Sequence, residues 1–588
     1  MRLVEIVFIA IELLALIGLL IMAFKEPKYN MSRFRFLYLF PAFIALCFVM
    51  CAGFDADYIP LYIGGCVEII ALYSIRLIYK KMLIVCSMIL VLVSTTLGIV
   101  SPNHNRPRIY DDFKEGFATM KAHYILDKEK GIDWDELYNK YEPDFKNADK
   151  NRDVVRSYQL WQAFCKEFYD GHVSYTVDKP DIMLKSFGAD YGFSLVRLDD
   201  GRFVAINVEG CKNSFSIDEI ENDRLEYERV KKDYIPDNLD DIRLTLKNEG
   251  IGNGTVITQI NGKDITDYYK YLDYYMYQYP DKNNEEFYKP FYVAGLTEDG
   301  DGGYSLNLDT DQKDSSIEIT YIDDNNQERT VSAPYLGAYA ARLIDTFVRL
   351  DEGEFVSNLD WKSINDDTVL LRISGMIYDY KTYDGVDFDV VSNQIREEVL
   401  AYKEAGVKNI IIDLRANSGG SPYFVQAVAK IFAPKGEHLT YYSAKLNEKT
   451  ATFERGEDGK YIKGEPSSYQ GEDIWHDGKI ILLVNAECVS AGDDMVYMMG
   501  DYPNVRVMGL TSSNSSCQAV TGIELSNGSL SFSAVPNLDE DGEIVIDTRT
   551  DHVGRTPFDE KIPMTLDVVD SIFNRGEDYL DDYVVDRF

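Results

Sequence analysis

Two stretches of this 588-residue chain run from an apolar strand into a helix, and that alternation constrains the fold more than any other feature of the sequence. The first is NIIIDLRANSGGSPYFVQAVAKIF, Asn409 to Phe432, and the second is KIILLVNAECVSAGDDMVYMM, Lys479 to Met499. Strand and helix signals alternate in this manner from about Val369 through Leu566, which predicts an α/β core. In the second stretch one serine, Ser490, stands where strand gives way to helix. Backbone N–H groups at a helix start are unpaired and carry the positive end of the helix dipole. A serine there can attack a carbonyl while neighbouring amides hold the oxyanion that results. In the first stretch Gly419 and Gly420 bring bare backbone to the surface. Taken alone, each junction also has an ordinary reading, because strand-loop-helix units build every α/β domain and a serine at a helix start is commonly only a cap.

Taken together, the segments resemble a known family. DLRANSGG resembles the DLRxNxGG segment of the C-terminal-processing, or tail-specific, serine peptidases, and LVNAECVSAGDD resembles their LVNxxSASAxE nucleophile segment, with Ser490 on the nucleophile. Four further segments occur in that family's order from about Tyr110 onward: GIDWDELYNKY (Gly131 to Tyr141), FYDGHVSY (Phe168 to Tyr175), GTVITQINGKDI (Gly254 to Ile265) and HVGRTPFDEKIPMT (His552 to Thr565). The resemblance implies an α+β multidomain protein: a small helical domain over 108–180, a PDZ-like β domain with insertions over 186–335, and a crotonase- or ClpP-like α/β catalytic core over 336–588. It implies acyl transfer from polypeptide substrates to water without metal or cofactor. Backbone amides around Gly419, Gly420 and Ala491 would form the oxyanion hole.

One departure matters as much as the matches. Family members with a Ser/Lys pair carry their lysine base in a TxGKGxVQ segment, whereas TSSNSSCQ (Thr511 to Gln518) places Asn514 there, and an uncharged amide cannot take a proton from a hydroxyl. FYDGHVSY resembles the DGH or SH motif of the tricorn-like branch, in which a histidine from the preceding helical domain reaches the serine. That makes His172 the expected base, with an ordinary pKa of about 6.5. The group that orients His172 is left open among Gln518, Asp493 and Asp170, and Gly171 stands where that branch carries a serine. Cys488 is intrinsically the better nucleophile, but residues i and i+2 across such a turn point in different directions, so the expectation rests on Ser490.

The first hundred residues differ from the rest. Apolar runs at roughly Leu3 to Phe24, Phe36 to Phe54, Ile59 to Ile78 and Met82 to Val100 each approach the length of about twenty residues that crosses about 30 Å of hydrocarbon. They predict a transmembrane helical bundle of four passes over 1–100. Lys25, Lys28, Arg33, Arg35, Arg76, Lys80 and Lys81 mark the first and third connections as cytoplasmic, so the expected location is the cell membrane, multi-pass, with an extracytoplasmic catalytic part.

That segment carries eight Lys and Arg against six Asp and Glu, a net of +2, so the remainder of a chain of net −37 carries −39. Phosphate binding needs a basic patch, so no nucleic-acid partner is expected. Cys165, Cys211, Cys488 and Cys517 are too few and too scattered for a disulfide framework, and no CxxC or HExxH spacing suggests zinc. Oligomeric state is not legible. Two readings compete with a membrane-anchored serine endopeptidase: a catalytically inactive pseudopeptidase that binds or senses peptides, kept open by Asn514, and a Ser/His hydrolase of a non-peptide acyl group.

Overall fold

The computed structural model describes residues 108–588 apart from 179–181, 183–187, 209–235, 237, 273–278, 299–302, 307–314, 339–358, 378–387, 448, 451, 548–549 and 580–582. Three amphipathic helices open the described chain: α1 (Ile109–His123), α2 (Trp134–Asn151) and α3 (Val154–Lys166). Carboxylates fix two of the starts. Asp133 accepts the Asp135 and Glu136 amides ahead of α2, and Asp153 accepts the Arg156 amide ahead of α3, which is what an acidic N-cap does for otherwise orphaned donors. The buried faces meet in an aromatic cluster, with Phe113 stacked on Phe145 at 4.3 Å and Trp161 edge-on to Phe145 at 5.1 Å. Strand β1 (Ser174–Val177) then leaves this bundle.

A β-rich region follows. Strands β2 (Ser194–Arg197) and β3 (Phe203–Ile206) form a hairpin, and β4 (Ile257–Ile260) pairs with β5 (Ser316–Ile322), which pairs in turn with β6 (Glu328–Pro334). Strands β5 and β6 form a hairpin whose turn is held by Asp323, which accepts the Asn325 and Gln327 amides. Helix α4 (Lys282–Val293) packs on β2.

The core is a six-stranded sheet. In spatial order it comprises β7 (Leu359–Asn365), β8 (Thr368–Ile373), β9 (Asn409–Asp413), Lys479–Val484, Val505–Gly509 and Glu560–Lys561, antiparallel at β7 and parallel thereafter. Side chains alternate between its faces. Val369, Leu371, Ile410, Ile412, Ile480 and Leu482 pack with helices α5 (Asp389–Glu404), α6 (Pro422–Phe432) and α7 (Ala491–Gly500). Leu370, Ile411, Ile481, Leu483 and Met508 face the other way and share a core with the β-rich region. The sheet is thus covered on both sides, which is why its central strands read as unbroken apolar runs. A separate hairpin, Ala519–Glu524 with Gly528–Val535, takes up β1 in the register Ser174↔Ser531 to Val177↔Gly528, so the segment after His172 is stitched to the chain that follows Ser490.

The expected transmembrane bundle, and with it the multi-pass cell-membrane location and extracytoplasmic orientation, is corrected: among the described residues no helix is long and apolar enough to cross a membrane. The longest of them, α2, has the length but spreads Asp, Glu and Lys along its surface. The apolar runs of 1–100 lie outside the described residues.

Candidate active site

The strand Lys479–Val484 ends at Asn485, whose Oδ1 accepts the Glu487 amide at 3.1 Å and the Ala416 amide of the neighbouring loop at 3.0 Å. One side chain therefore ties the two strand-to-helix junctions together. Ser490 follows with φ 57° and ψ −126°, and α7 starts at Ala491. An L-residue reaches this backbone conformation only under strain, a cost of about 1–3 kcal/mol that surrounding structure must hold. Such strained strand-to-helix turns lift a side chain clear of the sheet. Ser490 is half-buried and its hydroxyl makes no capping bond, so the ordinary role of a serine at a helix start is unfilled here.

Gly419 and Gly420 lie against this turn with φ of 92° and 140°. A Cβ on Gly419 would sit 2.5 Å from Ser490 Cβ and 3.0 Å from Ala491 N, and one on Gly420 would sit 2.4 Å from Met376 O, so neither position admits a side chain. The three expected oxyanion donors are not equivalent. The Gly419 amide donates to Asn417 Oδ1 at 2.9 Å, whereas the Gly420 and Ala491 amides have no acceptor among the described residues. Asn417 is itself fixed, its Nδ2 donating to Ile373 O at 2.7 Å and its carbonyl accepting the Val489 amide at 3.0 Å.

Behind the glycines lies a buried ion network. Arg415 pairs with Asp413 at 2.9 Å and with Asp578 at 2.6 Å, and Arg372 adds a second cation to Asp413 at 2.8 Å. Burial pushes the Asp413 carboxyl upward, but the two guanidiniums win and hold it below the usual carboxylate range.

His172 arrives from the turn after α3. Its backbone amide donates to Asp170 Oδ1 at 2.9 Å, and the buried Asp170 also accepts Ser516 Oγ at 3.1 Å and the Tyr124 hydroxyl at 3.2 Å. On the serine side, the Ser490 amide donates to Ser516 O at 2.8 Å. The imidazole touches the Gln518 backbone, and its Nδ1 is buried without a hydrogen-bond partner. Burial lowers its pKa below the ordinary value against the opposing pull of Asp170, which leaves the ring neutral at neutral pH. Among the described residues no hydrogen bond joins the ring to Ser490 Oγ.

Of the three candidate orienting groups only Gln518 meets the ring, and it does so through its backbone. Gln518 spends its side chain on Val545 O at 2.8 Å and the Asn537 amide at 2.6 Å, so only its backbone faces His172. Asp493 accepts the Ser516 amide at 2.9 Å and Thr556 Oγ1 at 3.0 Å, and burial pushes its pKa up to about 7. Asp170 holds the His172 main chain rather than its ring. Gly171 has a steric reason: a Cβ there would lie 2.8 Å from Asn514 Nδ2. Cys488 is fully buried and burial raises its thiol well above the usual range, which removes it as a nucleophile, and the described cysteines Cys165, Cys488 and Cys517 are all free.

Sequence reasoning missed Ser516, Asp578 and the buried Lys130, whose Nζ donates to Tyr169 O at 2.8 Å beside Asp170 and lies 3.9 Å from the buried Asp547. A serine in a serine-rich loop and a lysine in a helical region carry no signal of such contacts.

Residues 370–547 match the model of peptidase family S41. No curated protein matches the chain. Among solved structures, mature CPAF superposes with a TM-score of 0.51 at 12% identity, covering 80% of this chain and 95% of that one. Mature CPAF complexed with lactacystin gives 0.50 at 12%, with 81% and 97% covered. At that identity the likeness speaks for the fold. A chain whose strained Ser490 and paired glycines fall within a peptidase family S41 domain over 370–547 is a serine-type peptidase.

Proposed function

We propose that this peptidase is an endopeptidase that cleaves polypeptides through an acyl-enzyme, with Ser490 as nucleophile, His172 as general base, and the Gly420 and Ala491 amides as oxyanion donors. The observation that carries the reading is the strained Ser490 turn pressed against two glycines that tolerate no side chain. Neutral His172 withdraws the Ser490 proton, Ser490 Oγ attacks the peptide carbonyl, and the imidazolium returns the proton to the departing amine. Water then repeats the cycle on the ester. A positioned base contributes about a hundred- to ten-thousand-fold, and each oxyanion donor about 3–4 kcal/mol, so both halves are required. The β-rich region is proposed as the PDZ-like module: its edge strand β6 is largely exposed and could take an extended substrate tail as a further strand.

Fluorophosphonate labelling tests this. Labelling of the wild type that is lost in Ser490→Ala and His172→Ala and kept in Asn514→Ala is expected. A wild type that takes no label would return the chain to the peptide-binding, non-catalytic reading. Casein digestion with the same variants then separates peptide from non-peptide acyl substrates.

A further inference from the structure

Ser516 is fully buried and uses every polar group it has, each on a different part of the site. Its carbonyl accepts the Ser490 amide at 2.8 Å, its amide donates to Asp493 Oδ2 on the first turn of α7 at 2.9 Å, and its hydroxyl donates to Asp170 Oδ1 at 3.1 Å. The same Asp170 oxygen holds the His172 amide at 2.9 Å. The bridge from base segment to nucleophile therefore passes through one residue: His172 N–H to Asp170, Asp170 to Ser516 Oγ, Ser516 O to Ser490 N–H. Its Cβ lies 3.5 Å from where a Cβ on Gly171 would stand, so the two segments are also in packing contact.

The loop that carries Ser516 is fixed at its other end by α4. Asn284 Nδ2 donates to Ser512 O and Ser513 O, both at 3.1 Å, and Ser512 Oγ donates back to Asn284 Oδ1 at 3.1 Å. The loop is thus clamped, and Ser516 hangs from a rigid support rather than following whatever segment it touches.

We propose that Ser516 is the positioning residue of the catalytic pair, its hydroxyl setting the separation of His172 from Ser490 through Asp170. This rests on the reading of Ser490 and His172 as that pair. The Ser516 carbonyl and amide survive any substitution, so Ser516→Ala keeps the Ser490 turn and removes only the tether to the base. A displacement of about 1 Å at a reacting pair costs on the order of a hundredfold in rate.

The charged groups around His172 define a second readout. Asp170 on its own segment acts on the ring, and the buried Asp547 lies within reach of Asp170, Lys130 and Asp493. Without the Ser516 hydroxyl, the Asp170 charge is less dispersed and holds the imidazolium more firmly, so the acid limb of the rate profile moves to higher pH.

The experiment measures the second-order rate of fluorophosphonate labelling of the full chain against pH for wild type, Ser516→Ala, Asp170→Asn, His172→Ala and Ser490→Ala. Expected are a ten- to hundredfold slower rate in Ser516→Ala at about the same melting temperature, and an acid limb shifted upward. Asp170→Asn keeps the acceptor oxygen but loses the charge, so its limb moves down in pH; if Ser516→Ala does not fold, Ser516→Cys, whose thiol is a larger and weaker donor to Asp170, decides the question, a slower rate with an upward-shifted limb being expected and a wild-type rate and limb overturning the role. Wild-type rate and an unmoved limb in Ser516→Ala overturn the positioning role while loss of label in His172→Ala and Ser490→Ala leaves the pair standing. Undiminished labelling of His172→Ala overturns the pair itself.

Discussion

The two strand-to-helix junctions share a pattern in sequence and diverge in physics. At Asn409–Phe432 the turn is held by charge: Asp413, Arg415, Arg372 and Asp578 form a buried network behind Gly419 and Gly420, and what the turn offers is backbone. At Lys479–Met499 the turn is held by neutral hydrogen bonds from Asn485 and Ser516, and what it offers is a side chain under strain. One junction is rigid so that amides can wait in place. The other is strained so that a hydroxyl can stand clear. The contact between them, Gly419 against Ser490, is where the two requirements meet.

The sharpest way to break that contrast is Arg415→Met. Removing the cation leaves Asp413 and Asp578 to share Arg372 alone, and a buried pair broken on one side costs about 3–5 kcal/mol, read as a lowered midpoint in urea with the slope unchanged. Next comes Gly419→Ala, whose Cβ at 2.5 Å from Ser490 Cβ must displace the proposed nucleophile, for a loss of about a hundredfold or more in kcat. Gly406→Ala is its control: φ is 89° but nothing lies within 4 Å, so it meets the backbone penalty of about 1 kcal/mol and leaves kcat near wild type. If both variants lose activity alike, strain rather than crowding governs the turn.

The pH profile sharpens the comparison from the base's side. The His172 pKa is lowered by burial, so if it is the proposed base its neutral form persists below the ordinary histidine midpoint, and kcat/KM should fall only on the acid side of about pH 6.5. Its native pKa lies below the unfolded one, so its stability contribution is present above the unfolded value and is lost as pH falls. The smallest effect belongs to Asp494, pushed up to about 8 by burial on α7. A raised carboxyl stabilises below its unfolded pKa and that contribution is lost as pH rises through the folded one. Melting temperature should therefore decline as pH rises from about 4 to about 8 in the wild type, and less steeply in Asp494→Asn.

Much of this was legible in the chain because it is local. Apolar runs at Ile410–Ile412 and Ile480–Val484 announce strands buried on both faces, and Ser490 and the glycine pair sit at the boundaries the pattern marks. The difference between the Gly419 amide and the proposed oxyanion donors was not legible, since it turns on the rotamer of Asn417. Nor was the bridge to His172: the Ser516 to Asp170 bond spans 346 positions and the Arg415 to Asp578 bond 163, and neither partner is marked by period or composition. The absence of a lysine at Asn514 and the presence of His172 could be read. The route by which that histidine is held in place could not.

The odd-numbered side chains of the central strands have a consequence for how the molecule comes apart. Ile411, Ile481 and Leu483 lie in one apolar mass with Phe193, Leu195, Ile257 and Ile319, so the β-rich region serves as the lining of the sheet rather than an accessory bolted to it. Excising it would leave a naked greasy flank, and heating should melt both parts in a single cooperative transition. A lineage can remodel that region's rim, but it cannot discard the region and keep the enzyme.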